Sequence, residues 1–262
     1  MPAMSGAFPW RYSHWANGAF TPVEGVIIAE GLVRLHINGQ EWAALMCTPH
    51  ELELLALGLL RSEGIIRQRS DVRLIQPCPS LTCVDVWLRD AAAPLPTGRP
   101  ILTSGCGGGL TFDDLSSRVA PLASSLQIEP AQVLTAMQQL MAAATLYHST
   151  RGVHTSALSD GQRLVAVAED VGRHNTIDRL WGYCLQHDVD PRDHLLLATG
   201  RISSEMLNKA AKMGVPVVIS HTSPTSLSVR LAEEWRISLI GYVRGSNFNC
   251  YANAWRILSA SV

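Results

Sequence analysis

Cys106 lies in the run Ser104-Gly105-Cys106-Gly107-Gly108-Gly109, with four glycines in five consecutive positions. A thiolate is both a nucleophile and a carrier of sulfur, and it reacts when it is accessible and its pKa is lowered. The glycines cannot form a regular helix or a well-packed strand, so a mobile or tightly turned loop is expected. Such a loop gives the thiol no side-chain neighbours to bury it, and its amides can form a concavity that favours an anion. The alternative is a plain linker that happens to hold a cysteine.

A second constellation is Glu169-Asp170-Val171-Gly172-Arg173-His174-Asn175, crowded into the turn between a strand and a helix. It suits binding of an anionic or polar group, or proton transfer by His174. The alternative is a helix cap with a surface Asp/Arg pair. His154 is a further candidate. A third set comprises three short polar turns, Thr199-Gly200-Arg201, His221-Thr222-Ser223-Pro224 and Arg244-Gly245-Ser246-Asn247. Gly200-Arg201-Ile202-Ser203 opens a helix whose amides and dipole favour a phosphate, and Arg201 and Arg244 add bidentate donors. Together they point to a phosphate-bearing ligand such as a nucleotide. Cys78-x4-Cys83 with Cys106 and a histidine matches no familiar zinc spacing, and no metal site is expected. Walker A, helix-opening G-x-G-x-x-G and zinc-deaminase signatures are absent.

The composition bounds what can position these groups. The chain has 262 residues, 47% of them hydrophobic and 16% charged, which excludes an intrinsically disordered polypeptide. A formal net charge of -1 argues against duplex nucleic acid as the main partner. No apolar stretch reaches the roughly 20 residues of a membrane span. The first twenty residues carry only Arg11 as a cation and no apolar core, so no secretory signal is read there. A cytoplasmic location with mostly reduced cysteines is expected.

The segment up to about Pro22 lacks periodicity and reads as a loose arm. Gly25–Ile37 and Trp42–Met46 read as strands joined at Asn38-Gly39, a strong hairpin signal. Thr48 is placed as the N-cap of a helix with Pro49 at its first position, running to near Gly64. Strands Val72–Gln76 and Cys83–Arg89 follow, then a linker from Ala91 to Pro100 and a helix from about Glu129 to His148. Beyond it the pattern predicts a hairpin around Thr155–Leu158 and Arg163–Ala168. Helix Asn175–His187, strand His194–Ala198, helix Ser203–Met213, strand Val215–Ser220, helix Pro224–Trp235 and strand Ile237–Val243 complete the chain. Strands alternating with single helices imply an α/β lobe with a mostly parallel sheet, whose ligands bind beyond the strands' carboxyl ends. The expected organisation is an arm over 1–22, a smaller N-terminal α+β lobe over 23–100, a glycine-rich mobile loop carrying Cys106 over 101–127, and an α/β cofactor-binding lobe over 128–262.

From about Gly25 to Tyr251 the chain resembles the formate dehydrogenase accessory sulfurtransferases, the FdhD family. The resemblance rests on Leu45-Met46-Cys47-Thr48-Pro49, Leu57-Gly58-Leu59-Leu60-Arg61-Ser62-Glu63-Gly64-Ile65-Ile66, Ser104-Gly105-Cys106-Gly107, Gly152-Val153-His154-Thr155, Glu169 through Asn175, Gly200-Arg201-Ile202-Ser203-Ser204-Glu205 and Gly241 through Asn249. It implies a sulfur carrier that takes persulfide sulfur from a cysteine desulfurase and delivers it to the molybdenum or tungsten bis-molybdopterin guanine dinucleotide cofactor (Mo-bisMGD), for formate dehydrogenase. It further implies a three-layer, cytidine-deaminase-like C-terminal lobe and a homodimer. Cys106 takes the persulfide role. Tyr242, Val243, Arg244, Gly245, Ser246 and Asn247 take the cofactor-binding role, with Arg201 and His174 as helpers. Many members have a C-x-x-C pair in the loop, whereas Gly109 stands here in place of the second cysteine, so Cys106 works alone. A chaperone that inserts the cofactor without moving sulfur is the competing expectation.

Overall fold

The computed structural model describes residues 6–92, 101–102, 110–111 and 119–258. In chain order the N-terminal part gives β1 (Ala7–Ala16), β2 (Ala19–Ile28), β3 (Gly31–Ile37), β4 (Gln40–Cys47), α1 (Leu52–Ser62), β5 (Val72–Pro77) and β6 (Cys83–Leu88). Two short strands, β7 (Ile101–Leu102) and β8 (Leu110–Thr111), pair antiparallel on either side of the glycine-rich segment. There follow α2 (Pro130–Ala143), α3 (Thr145–Thr150), β9 (His154–Ser159), β10 (Leu164–Asp170), α4 (Arg173–Gln186) and β11 (Leu195–Ala198). The last elements are α5 (Ser204–Met213), β12 (Val217–Ser220), α6 (Ser226–Glu234), β13 (Ser238–Arg244) and β14 (Asn247–Ala252).

β3 alternates Val33, Leu35 and Ile37 inward with Arg34 outward, the two-residue period of a half-buried strand. It pairs with β4 across the Asn38-Gly39 turn, and a four-stranded sheet forms in the order β4-β3-β6-β5. Leu52, Leu55, Leu59 and Leu60 of α1 seal its inner face. The second sheet has six strands in the order β10-β9-β11-β12-β13-β14. Leu196 and Val218 face α4, α5 and α6 on one side, while Leu195, Leu197 and Ile219 face α2 on the other. Successive residues of one strand thus enter two different cores, which makes three layers.

Several expectations are corrected. The segment read as a loose arm holds β1, a ten-residue strand fully paired with β2. Residues 25–28, assigned to the next strand, belong to that hairpin. Thr48 is not the cap of α1: the helix begins at Leu52 after Glu51, whose φ of 42 puts it in the left-handed region, and Thr48 is held by other contacts described below. The expected helix from Glu129 to His148 is broken at Ala144 (ψ 71), giving α2 and α3. The large sheet is not mostly parallel. Only β11–β12 and β12–β13 are parallel, whereas β10–β9, β9–β11 and β13–β14 are antiparallel. The two hairpins cause this, since tight turns reverse the chain where helical crossovers do not. Part of the expected loop over 101–127 is also fixed: Leu122 donates its amide to the Trp235 carbonyl at 3.0 Å, and Val119 packs on the core. The linker's residues 93–100 lie outside the described residues.

The two sheets meet where α1 crosses α4. A Cβ placed on Gly58 would stand 1.7 Å from the Asp178 carbonyl oxygen, and one on Gly182 would stand 1.9 Å from that of Leu54. Each helix presses backbone onto backbone at the other's glycine. Among the described residues, no helix is long and apolar enough to cross a membrane.

Candidate functional site

The parallel strands β11, β12 and β13 end along one rim, and short hydrogen bonds stitch their ends together. The Ser220 hydroxyl donates to the Gly200 carbonyl at 2.8 Å and accepts from the Thr222 amide at 3.0 Å. The Tyr242 amide donates to the Thr222 carbonyl at 3.0 Å. Tyr242 takes a φ of 54 where β13 loses register with β14, so its ring, 43% exposed, leaves the plane of the sheet. Arg244 pairs with Asn247 across Gly245-Ser246, which makes the 242–247 segment the tip of a hairpin projecting past β12. The Arg244 guanidinium lies 5.9 Å from the centre of the Tyr242 ring.

Beside this rim opens a cleft of about 420 Å³, lined among others by Tyr147, Arg151, His154, Thr199, His221 and Thr222. Arg151 stacks its guanidinium 5.0 Å above the Tyr147 ring. Gly200 admits the histidine: a Cβ there would come within 2.9 Å of His154 Nδ1 and 3.5 Å of Arg173 Cβ. Burial, and then the Arg173 charge, lower the His154 pKa against the pull of Asp170. Burial and the Arg244 charge likewise lower that of His221. Arg151 lines the cleft at the end of α3, and the charges of Arg173 at the start of α4 and Arg244 at the β13 tip act on its histidines, which burial and those charges keep toward the neutral form. Such charge is suited to an anion.

Within the Glu169–Asn175 constellation, Asp170 and Asn175 hold the junction between the two sheets and Glu169 caps a separate helix. Asp170 is fully buried and accepts from Arg179 Nη2 at 2.6 Å, the Thr48 amide at 3.2 Å, the Gly172 amide at 2.8 Å and Asn175 Nδ2 at 2.8 Å. Asn175 also donates to the Met46 carbonyl at 2.9 Å, and the Val171 amide donates to the Thr48 hydroxyl at 3.1 Å. These residues clamp the β4–α1 connection to the start of α4. The Glu169 carboxylate accepts from the Leu146 and Tyr147 amides at 2.7 and 2.9 Å, and from the Thr145 and Thr155 hydroxyls at 3.1 and 2.9 Å. It caps α3 from a strand 22 or more residues away, and so sets the helix that carries Tyr147 to the cleft.

Of the residues expected to bind cofactor, Tyr242, Arg244, Gly245, Ser246, Asn247 and Arg201 are exposed, while Val243 is 2% exposed and packs into the core. Val243 offers a ligand its backbone only. His174 is 5% exposed, with Nε2 3.3 Å from the Ser203 hydroxyl. Burial, then the charges of Lys209, Arg173 and His154, lower its pKa to about 3, so it is an uncharged hydrogen-bonding group at neutral pH. Cys106 lies outside the described residues. Sequence reasoning missed Tyr147 and Arg151 as cleft residues. Arg151 stands directly before the quoted Gly152-Val153-His154 block, and that adjacency is the only signal that could have found it. No group of three or more His, Cys, Asp or Glu among the described residues is placed to hold a metal ion.

Fold and cleft together define a mixed α/β protein with an arginine-bearing cleft beside the carboxyl ends of its parallel strands. The FdhD/NarQ family model matches residues 28–258. The sulfur carrier protein FdhD of Bacillus subtilis is 36% identical over 254 residues, covering 95% of this chain and 95% of the relative. That of Geobacillus kaustophilus is 36% identical over 251 residues, covering 93% and 94%. A crystal structure from Desulfotalea psychrophila, of a protein assigned as a formate dehydrogenase accessory protein, superposes with a TM-score of 0.80 at 25% identity. It covers 97% of this chain and 100% of its own. The chain belongs to the FdhD/NarQ family.

Proposed function

We propose that this protein is a cytoplasmic sulfur carrier acting for a formate dehydrogenase. The Cys106 thiolate attacks the terminal sulfur of a cysteine desulfurase persulfide, leaving Cys106–S–SH and returning the desulfurase thiol. The terminal sulfur then passes to the molybdenum or tungsten of a reduced, tetravalent bis-molybdopterin guanine dinucleotide substrate: it becomes a sulfido ligand by taking two electrons from the metal, which rises to the hexavalent state, and the Cys106 thiolate departs as the leaving group. The phosphates of that substrate sit in the cationic cleft, against Arg151, His154 and Arg244, with the 242–247 hairpin tip along the nucleotide. Arg201 adds charge at the rim, and His174 supports the Ser203 turn from below. The observation that carries this reading is the arginine charge at one strand-end cleft, in a chain whose relatives along nearly its whole length are named sulfur carriers. A homodimer and a cytidine-deaminase-like ancestry of the large lobe belong to the same proposal.

The test has two arms. After incubation with desulfurase and cysteine, mass spectrometry should find one added sulfur on the peptide bearing Cys106 and none in Cys106→Ala. Calorimetry with GDP as the probe should show binding that Arg244→Ala weakens about tenfold, as expected for loss of one charge-assisted contact. A second reading, a chaperone that inserts cofactor without moving sulfur, is favoured by Gly109 in place of a second loop cysteine. It predicts that Cys106→Ala restores formate dehydrogenase activity as well as the wild-type chain does.

A further inference from the structure

Cys78 and Cys83 flank the turn between β5 and β6, away from the roles assigned above. Pro77 opposite Val84 is the last pair of that ladder, so the two cysteines face each other at the next position. The Cys78 amide donates to the Cys83 carbonyl at 3.0 Å, and the Leu81 amide donates to the Cys78 carbonyl at 2.9 Å. Directly opposed antiparallel residues lie about 4.5–5.5 Å apart at Cα, inside the roughly 4.4–6.8 Å that a disulfide spans.

The turn is also folded around one sulfur. The Cys83 amide donates to Cys78 Sγ at 2.9 Å, with the Ser80 hydroxyl at 3.2 Å and the Thr82 hydroxyl at 3.8 Å. Burial opposes the thiolate, but hydrogen bonds from Cys83, Ser80 and Thr82 outweigh it and bring Cys78 down to about 6. Its hydrogen bond to Cys78, followed by burial, pushes Cys83 up to about 11. Burial pushes Cys47 and Cys184 up to about 12. Both members of the hairpin pair are partly exposed, whereas Cys47 and Cys184 are buried.

We propose that Cys78 and Cys83 form a thiol–disulfide exchange site that takes low-molecular-weight disulfides, with Cys78 as the attacking sulfur and Cys83 as the resolving one. The Cys78 thiolate displaces one thiolate from the small disulfide and becomes a mixed disulfide. The Cys83 thiol gives its proton to solvent and attacks Cys78 Sγ, which expels the second thiolate and closes the Cys78–Cys83 bond. Two protein thiols lose two electrons, and one small disulfide becomes two thiols.

The test uses the full chain in glutathione disulfide at pH 7, quenched with acid, alkylated and digested with trypsin. Residues 74–89 form one tryptic peptide holding both cysteines and no internal Lys or Arg. Its internally bridged form, which takes up no alkylating agent, should accumulate in the wild-type chain and equally in Cys106→Ala. Cys83→Ser should trap glutathione on Cys78, and Cys78→Ser should leave Cys83 free. Without oxidant, Cys78 should alkylate at least tenfold faster than Cys83. A peptide alkylated at both cysteines in the most oxidising mixture overturns the proposal, as does glutathione trapped on Cys83 rather than Cys78. Persulfide on Cys106 is read from a different peptide, so the carrier function and this site stand or fall separately.

Discussion

Asp170 at the end of β10 and Arg179 in α4 form an ion pair of 2.6 Å with neither side chain exposed, and through it the two sheets are joined. Arg179 spends its remaining donors on the β4–α1 connection, reaching the carbonyls of Thr48 at 2.7 Å, Glu51 at 3.1 Å and His50. Those bonds hold Glu51 in its left-handed conformation and start α1. Breaking one side of a buried pair costs more than the pair itself contributes, because the surviving charge is stranded. Arg179→Met should therefore lose about 3–5 kcal/mol of stability in urea or thermal unfolding. A loss within about 0.5 kcal/mol, the range of an ordinary surface change, would show the clamp to be unimportant.

The α1–α4 crossing gives a steric prediction. Gly58→Ala or Gly182→Ala forces a methyl into the opposing backbone, and neither helix can yield without opening the junction. Each should cost about 3 kcal/mol or more, the upper range for overpacking. Gly31→Ala is the matched control, since its nearest contact would be 3.8 Å away at Pro49. Equal melting temperatures for Gly58→Ala and Gly31→Ala would contradict the crossing.

Glu169 reaches four donors, and its loss should be local. Glu169→Ala leaves two partly buried amides without their acceptor, at about 1 kcal/mol each. Hydrogen exchange over residues 145–150 should accelerate by one to two orders of magnitude, with a smaller change in Glu169→Gln, which keeps an acceptor oxygen (about 1.4 kcal/mol is tenfold). Unchanged exchange at Leu146 and Tyr147 in Glu169→Ala would rule out the capping role.

His174 predicts a pH dependence. Its folded pKa of about 3 lies below the ordinary histidine value of 6.5, so between them the unfolded chain binds a proton that the folded chain refuses. Stability from this residue is therefore complete above pH 6.5, falls as the pH drops, and levels off below about 3. The slope approaches about 1.4 kcal/mol per pH unit. His154 and His50 are lowered in the same direction. Melting temperatures from pH 7.5 to 4 should fall less steeply for His174→Gln than for the wild-type chain. Parallel curves would count against it.

The residues that speak locally were legible in the chain itself. The Asn38-Gly39 hairpin and the strand–helix alternation after Arg163 each depend on neighbours in sequence, and each stands close to where its pattern put it. The rim of polar turns at the carboxyl ends of β11, β12 and β13 followed from that alternation. Thr48 shows the opposite case. Its spacing to Pro49 and Glu51 is a good capping signal, but Asp170 and Val171, more than 120 residues away, claim its amide and hydroxyl. Local preference worth about 1 kcal/mol yields there to buried charge.

Composition and pattern by themselves determined an α/β chain, the polar turns that close its strand ends, and the blocks shared with the FdhD/NarQ family. Only the tertiary structure decided which charges are structural and which face the cleft. Asp170, Glu169 and Arg173 are near neighbours in sequence, yet the first closes a junction, the second caps a distant helix and the third acts through its charge on His154, which lines the cleft. Burial and partner are long-range properties: a side chain's charge state and its donors depend on what packs over it, and no spacing along the chain encodes that.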